Sequence, residues 1–430
     1  MQKSTAVNMG EKYIINHNIP KSAEGTYYTI PFPMQNNLEK ITVTYSYERD
    51  GKNVVDIGLM DNNKNFLGWS GSDKTTIFVG ECSATPGYFM TEIKSGEWFI
   101  IIGAYKIPKD GLPVKYEITY TPKEYRWLVG DLHIHSNASD GQHDIPTLAK
   151  KAIKKGLDFI AVANHNNFSE NLTLPQIPDL TLIPAVEWTH YKGHMNFFGV
   201  SAPFENFIAN TQDEMIELIN KAKAKGALIS VNHPKDTGCP YLWEDTNCFD
   251  LVEVWNAPMR KSNVDAILWW HNLLLEGKRV PLVGGSDYHR DRHPALFAHP
   301  ITRVYAKSSS YSDILEGLKN GNVYVAAAKN SAELSLTCLN HKGESVIMGD
   351  AVSWHEDLIL TITVKNLGIS MILELVTAEG LTYTWRKNEL PISIKVKQSW
   401  RFAYLIAKRQ IFGFNLITVI TNPIYFIKWR

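Results

Sequence analysis

The stretch IPTLAKKAIKKGLDFIAVANH, Ile145–His165, decides the fold class. Pro146 suits a first helical turn, Leu148, Ala149, Ala152 and Ile153 recur as one stripe, and Gly156 is placed to end the helix. The run that follows, LDFIAVA, is short, apolar and strand-like. A helix leading directly into a strand is the repeating unit of an α/β domain.

Outward from this unit the alternation continues. TQDEMIELINKAKAKG has capping-box spacing at Thr211 and Glu214, with Gly226 as its stop. Two more helices, about Val264 to Glu276 and Tyr311 to Asn320, precede Gly277 and Gly321. Between them lie the strand-like runs LTLIPAVE, HMNFFGV, ALISVNH, LVEVWNA, VPLVGGSD and TRVYA. Such alternation predicts a parallel α/β domain, either barrel or open sheet.

On both sides the period falls to two. In ITVTYSYE, Ile41, Val43, Tyr45 and Tyr47 share one face; in LILTITV, Leu358, Leu360, Ile362 and Val364 do. The expected division is residues 1–124 as an N-terminal β-sandwich-like domain, 125–330 as the α/β domain and 331–430 as a C-terminal β-sandwich-like domain.

Lys plus Arg and Asp plus Glu both number 44, so no global field draws the chain to nucleic acid or an anionic membrane. Cys82, Cys239, Cys248 and Cys338 are scattered; Cys239 and Cys248 lie close enough to be ligands, but free thiols in a reducing compartment is the favoured reading. MQKSTAVNMGEKY lacks the apolar core of a secretory signal, and IFGFNLITVITNPIYFI, broken by Asn415, Asn422 and Pro423, reads as strands. The expectation is a soluble cytoplasmic protein acting on a small molecule, with no membrane or nucleic-acid partner.

Eleven of the fourteen histidines fall between residues 133 and 299. In DLHIH, positions i and i+2 of a strand put His133 and His135 on one side, with Asp131 on the same face. GSDYH repeats the device with Asp287 and His289. His165, Glu187, His194 and His233 stand where other strand runs end or begin, and Asp140 follows the turn after DLHIH. In parallel α/β folds strand ends face the functional side, so one pocket can collect all nine groups. Nine exceed the needs of one ion and suit two or three, with a carboxylate bridge. Imidazole and carboxylate donors favour zinc, manganese or iron.

The series DLHIHSNASDG, NH at 164–165, PAVEWT with GHMNFFG, NHP and GSDYH resembles the polymerase and histidinol phosphatase (PHP) superfamily of metal-dependent hydrolases, and within it the carbaryl-hydrolase-like branch. The resemblance implies a distorted (β/α)7 barrel flanked by the two β domains. It also implies a first ion on His133, His135, Glu187 and Asp287, a second on Glu187, His194 and His233, and a third on Asp140, His165 and His289. The family usually has aspartate before the third-motif histidine; Asn164 stands here, and is expected to weaken the third ion.

Glu187 as the bridge, with His143, Arg290 and Lys235 as charge-neutralising or proton-donating groups, completes the expected catalytic set. Arg292 and Arg303 are further cations near GSDYH, and His190 lies beside the motifs. His17, His271, His341 and His355 read as structural. The leading expectation is a phosphoesterase using a metal-activated hydroxide in a di- or trinuclear site. A metal-dependent carboxylic ester, carbamate or amide hydrolase is the alternative, followed by a non-catalytic binding scaffold.

Overall fold

Period-two alternation produces eight strands in the first part of the chain: β1 (Tyr13–Ile19), β2 (Tyr27–Met34), β3 (Leu38–Tyr47), β4 (Val54–Met60), β5 (Phe66–Ser70), β6 (Thr76–Gly80), β7 (Gly96–Lys106) and β8 (Leu112–Pro122). The structure is a computed structural model that describes residues 12–291, 296–386, 389–411 and 413–427. Arg292 therefore lies outside the described residues, as does most of the N-terminal stretch.

The eight strands form two antiparallel sheets, ordered β1-β8-β3-β6 and β2-β7-β4-β5. Ile41, Val43 and Tyr45 of β3 are buried, and they share one apolar core with Ile57 and Leu59 of β4 and Trp98, Ile100 and Ile102 of β7. Two sheets closing on one core make a sandwich. By contacts this unit comprises residues up to Tyr125 with Gln176–Asp179, and the remaining chain forms a second unit.

The second unit is mixed α/β. Its strands are β9 (Arg126–Ile134), β10 (Phe159–His165), β11 (Thr181–His190), β12 (Gly193–Phe198), β13 (Leu228–Val231), β14 (Leu251–Asn256), β15 (Leu282–Gly285), β16 (Ile301–Ala306) and β17 (Val323–Ala326). Four α-helices accompany them among the described residues: α1 (Ile145–Lys155), α2 (Gln212–Ala224), α3 (Lys261–Leu275) and α4 (Tyr311–Asn320).

Local signals account for these helix ends. Asp144 caps α1 by accepting from Thr147 N at 2.9 Å, and Gly156 ends it at φ 68°. The Thr211–Glu214 capping box of α2 is formed from both sides. Leu148, Ala149 and Ala152 of the α1 stripe are buried, whereas Ile153 stays about half exposed.

The sheet runs β15-β14-β13-β12-β11-β10-β9-β16-β17. β9, β10 and β11 are mutually parallel, as are β13, β14 and β15. The expected parallel α/β sheet is corrected at β12, which is antiparallel to both β11 and β13, and at β16, antiparallel to β9. The cause at β12 is a hairpin tip of only two residues, Tyr191 and Lys192, too short for the crossover that a parallel strand requires. Few helices and several reversed strands make the unit strand-rich rather than a strict strand–helix repeat. A parallel bridge between Ile134 and Tyr288, with His135 N donating to Tyr288 O at 2.9 Å, lays the segment after β15 beside the end of β9. The DLHIH and GSDYH motifs thereby become neighbours.

Beyond residue 330 this sheet continues. β17 pairs antiparallel with Phe414–Thr421, which pairs with Phe402–Ile411, which pairs with Met371–Thr377. A separate four-stranded sheet contains Glu333–Leu339, Ser345–Ile347, Ile359–Lys365 and Ile392–Lys395. Of the two layers expected in a C-terminal sandwich, one is thus an extension of the α/β sheet, because the outer edge of β17 offers unpaired backbone that another strand can take up. Among the described residues no helix is long and apolar enough to cross a membrane.

Candidate metal centre

Glu187 lies near the end of β11, fully buried, and five imidazoles surround its carboxylate. Oε1 lies 3.3 Å from His133 Nε2, 3.2 Å from His194 Nδ1 and 3.4 Å from His233 Nε2. Oε2 lies 3.7 Å from His135 Nε2 and 2.7 Å from His165 Nδ1. Each histidine comes from a different part of the sheet: His133 from β9, His135 just after it, His165 from the end of β10, His194 from β12 and His233 after β13.

The other expected ligands join this group. Asp287 Oδ1 is 3.2 Å from His135 Nε2 and 3.5 Å from His133 Nε2. Asp140 Oδ1 is 3.3 Å from His289 Nε2, 3.7 Å from His165 Nε2 and 3.9 Å from His135 Nδ1. The His135 and His289 rings stack with centroids 4.0 Å apart. All nine side chains therefore converge. His233 and Asp287 adopt positive φ values of 29° and 51°, a backbone region that non-glycine residues seldom occupy and that concentrates at functional sites.

Charge balance in the cluster is internal. Burial favours the neutral form of Glu187, but His133, assisted by His165 and His194, holds its carboxyl well below the ordinary range. Burial likewise works against charge on His133, yet Glu253, Asp287 and Glu187 raise it well above the usual imidazole value. At His135 burial prevails and lowers the group to about 4, which leaves it neutral and able to ligate at pH 7.

The donor set fits divalent ions. His133 Nε2 and both ring nitrogens of His135 are buried without a hydrogen-bond partner. An orphaned buried polar atom costs about 1–3 kcal/mol, so three in one cluster call for an occupant. Among the described residues four overlapping groups have ligand atoms within 4.8 Å of one another: His133, His135 and Glu187; His165, Glu187 and His194; His135, Asp140, His165 and His289; and His194, His233 and Cys239.

Several residues support the ligands, and of these Glu253, Asn232 and Gly285 escaped the sequence reading. Glu253 of β14 is 2% exposed; its Oε1 takes His133 Nδ1 at 3.0 Å and its Oε2 accepts His233 N at 3.1 Å. It fixes the His133 ring with Nε2 toward Glu187. The signal was an acid inside the otherwise apolar run LVEVW. Asn232 donates to Glu187 Oε1 at 2.9 Å. Asp131 is a brace, accepting from Ser286 N at 2.9 Å and Ala298 N at 3.1 Å, and burial raises its pKa to about 6. A Cβ on Gly285 would come within 2.4 Å of His133 Cβ, so β15 can approach β9 this closely only with glycine there. Cys239, read as a plain thiol, has Sγ 3.4 Å from His233 Nδ1.

Removing the Glu253 carboxylate is expected to weaken metal binding by about 10–100-fold, the usual effect of losing the partner that orients a ligand histidine. Zinc titration of Glu253→Gln and Glu253→Ala would check this. Unchanged affinity in both would deny Glu253 the role.

The remaining expected groups sit around the cluster. His143 Nε2 is 3.0 Å from Asp291 Oδ2, and Asp291 also accepts from Lys151 and Tyr288. Arg290 is exposed and donates to Asp140 O at 3.4 Å. Lys235 Nζ lies over the Trp269 ring, 5.1 Å from its centroid. His190 accepts from Lys192 N at 3.0 Å and stacks on Trp188. Arg303 is buried, with one nitrogen on Lys329 O and its guanidinium over Tyr324, which makes it structural. His17 and His271 meet the hydroxyls of Tyr28 and Tyr404.

Fold and cluster together define a mixed α/β protein with a polyhistidine and carboxylate cluster whose donors suit a metal ion. Residues 131–233 match the PHP domain family, which places a PHP domain in that part of the chain. No curated protein matches it. Among solved structures it is similar to a two-domain protein from Bacteroides vulgatus ATCC 8482 containing a predicted PHP-like metal-dependent phosphoesterase, at 19% identity and TM-score 0.40, covering 69% of this chain and 95% of that one. A candidate metal-dependent phosphoesterase from Bifidobacterium adolescentis ATCC 15703 follows at 15% identity and TM-score 0.29, covering 43% of this chain and 95% of that one. An amidohydrolase from Chromobacterium violaceum is similar at 11% identity and TM-score 0.24, covering 39% and 93%.

Proposed function

We propose that this chain is a hydrolase of phosphate esters, most closely related to the carbaryl-hydrolase-like branch, that works with two or three zinc, manganese or iron ions. The observation that carries the reading is the single buried carboxylate of Glu187 within 2.7–3.7 Å of five imidazoles. A carboxylate with two oxygens among five nitrogen donors could be shared between neighbouring ions, for which imidazole and carboxylate are common ligands. His133, His135 and Asp287 would complete the first site, His194 and His233 the second, and Asp140, His165 and His289 the third. The seven strands β9–β15, drawn together by the Ile134–Tyr288 bridge, support a distorted (β/α)7 barrel as the frame. Free thiols at Cys239, Cys248 and Cys338 support a cytoplasmic location.

Divalent ions bound there supply Lewis acidity and a water of lowered pKa at neutral pH. The chain's own groups do the rest. In hydrolysis the water oxygen bonds to phosphorus, the ester P–O bond breaks, and the leaving oxygen needs a proton. His143, held at Nε2 by Asp291, would be the group that gives it. Arg290 and Lys235 offset the charge on the phosphoryl oxygens.

The test is a panel of aryl phosphate mono- and diesters beside aryl carboxylic esters and carbamates, using protein reconstituted with zinc or manganese. Turnover of the phosphates, lost on chelation and restored by metal, is expected. Turnover of carboxylic esters or carbamates alone would overturn the phosphate assignment. Fewer than one tightly bound ion per chain would overturn the metal reading.

A further inference from the structure

Asn164 immediately precedes His165 and is 3% exposed, so its amide must satisfy itself inside the protein. Its Oδ1 accepts from Ser136 N at 2.9 Å and from Ser139 Oγ at 2.9 Å. Its Nδ2 donates to Ser136 Oγ at 2.9 Å and to Glu170 Oε2 at 2.9 Å. Ser136 Oγ in turn donates to the same Glu170 oxygen. Both ends of the amide are thereby assigned: a backbone N–H can only donate, and an ionised carboxylate can only accept. Asparagine fits this position, whereas aspartate would set a second carboxylate oxygen against Glu170 with no proton between them.

The network holds something specific. Ser136 opens the turn that carries Asp140 and Ser139 immediately precedes that residue, and Ser139 N and Gly141 N close the turn on Ser136 O at 3.2 and 2.9 Å. A Cβ on Gly141 would lie 2.2 Å from His135 O, so the turn is packed directly on the ligand strand. Asp140 is the most exposed of the nine groups, and it reaches His289 and His165 from this turn.

We propose that Glu170 is a positioning residue for the ion of Asp140, His165 and His289. It acts through Asn164, and its charge is what requires an amide rather than a carboxylate at residue 164. The expected weakening of that ion by Asn164 is thereby replaced by a paired arrangement in which the negative charge stands at 170. The inference rests on the reading of the cluster as a metal centre.

The experiment is an exchange: Asn164→Asp, Glu170→Gln and the double variant N164D/E170Q. The readouts are the number of tightly bound zinc ions, their affinity, and the urea midpoint of the metal-free protein. N164D is expected to lose one ion, or to bind it roughly tenfold or more weakly. The double variant, with the amide and carboxylate interchanged, is expected to regain most of that loss. The urea midpoints should show the same recovery, which reads the pairing even if the parent binds no ion and the metal reading itself fails. If N164D fails to fold, a folded double variant supports the proposal. N164D equal to the parent, or a double variant as impaired as N164D, would overturn it.

Discussion

Glu187→Gln is expected to remove turnover almost entirely, with kcat/KM falling on the order of 10³-fold or more, about 4 kcal/mol of transition-state stabilisation. The substitution keeps size and shape, so packing around β11 is preserved and the effect is one of charge and donor type. Oε1 can still accept from Asn232 Nδ2, now at 2.9 Å. The other terminal atom becomes an NH2 group facing His165 Nδ1, which lies 2.7 Å from Oε2 in the native chain, and an amide nitrogen cannot ligate an ion there. Both proposed sites that share the carboxylate would lose a ligand at once, whereas changing any one histidine would remove a single donor. Metal counting on purified Glu187→Gln should show the loss of at least one ion per chain, while thermal unfolding and circular dichroism show a retained fold. A variant with all its ions and activity within tenfold of the parent would remove Glu187 from the bridging position.

The reason so much of this centre was legible in the sequence lies in where its ligands stand. His133 and His135 follow from the two-residue period of a strand, and His165, Glu187 and His233 stand at or just past strand ends, where apolar runs give way to polar residues. Local pattern carries that information. Glu253 and Glu170 were not legible because their partners are remote: His133 is 120 residues from Glu253, and Ser136 is 34 from Glu170. No periodicity encodes such a pairing. The reversal of β12 was hidden for a related reason, since HMNFFGV looks the same in either direction and only the two-residue tip at Tyr191–Lys192 marks it. The N-terminal sandwich was readable from alternation, whereas the attachment of the last strands to β17 was not, because a free edge belongs to the assembled sheet.

That attachment has a large consequence for truncation. Ending the chain after Asn330 is expected to leave the α/β unit unable to fold, even though the nine ligand-type residues and the whole matched PHP segment remain. The cut removes the strand that pairs with β17 at Tyr324, Val325 and Ala326. It also removes Asn422, which is fully buried and bonds both Leu282 N at 2.8 Å and Leu282 O at 3.1 Å, and Val323 O at 3.0 Å, tying β15 to β17. Since β15 leads directly into Asp287 and His289, the metal centre loses support from that side. The apolar loss is larger still: Phe402, Tyr404, Ile406, Ile417, Ile420 and Tyr425 share a core with Trp255, Trp270 and Leu282. At about 1.5–3 kcal/mol for each large apolar side chain, their removal amounts to roughly 10 kcal/mol, comparable with the whole stability of an ordinary domain. Soluble yield, the presence of a cooperative thermal transition and zinc stoichiometry would decide the matter. The point variant Asn422→Ala should show a milder form of the defect, with a lowered melting temperature and weakened zinc binding in the full chain. A truncated protein that stays soluble, melts cooperatively and binds the parent's number of ions would instead establish residues 331–430 as a separate domain, dispensable for the centre.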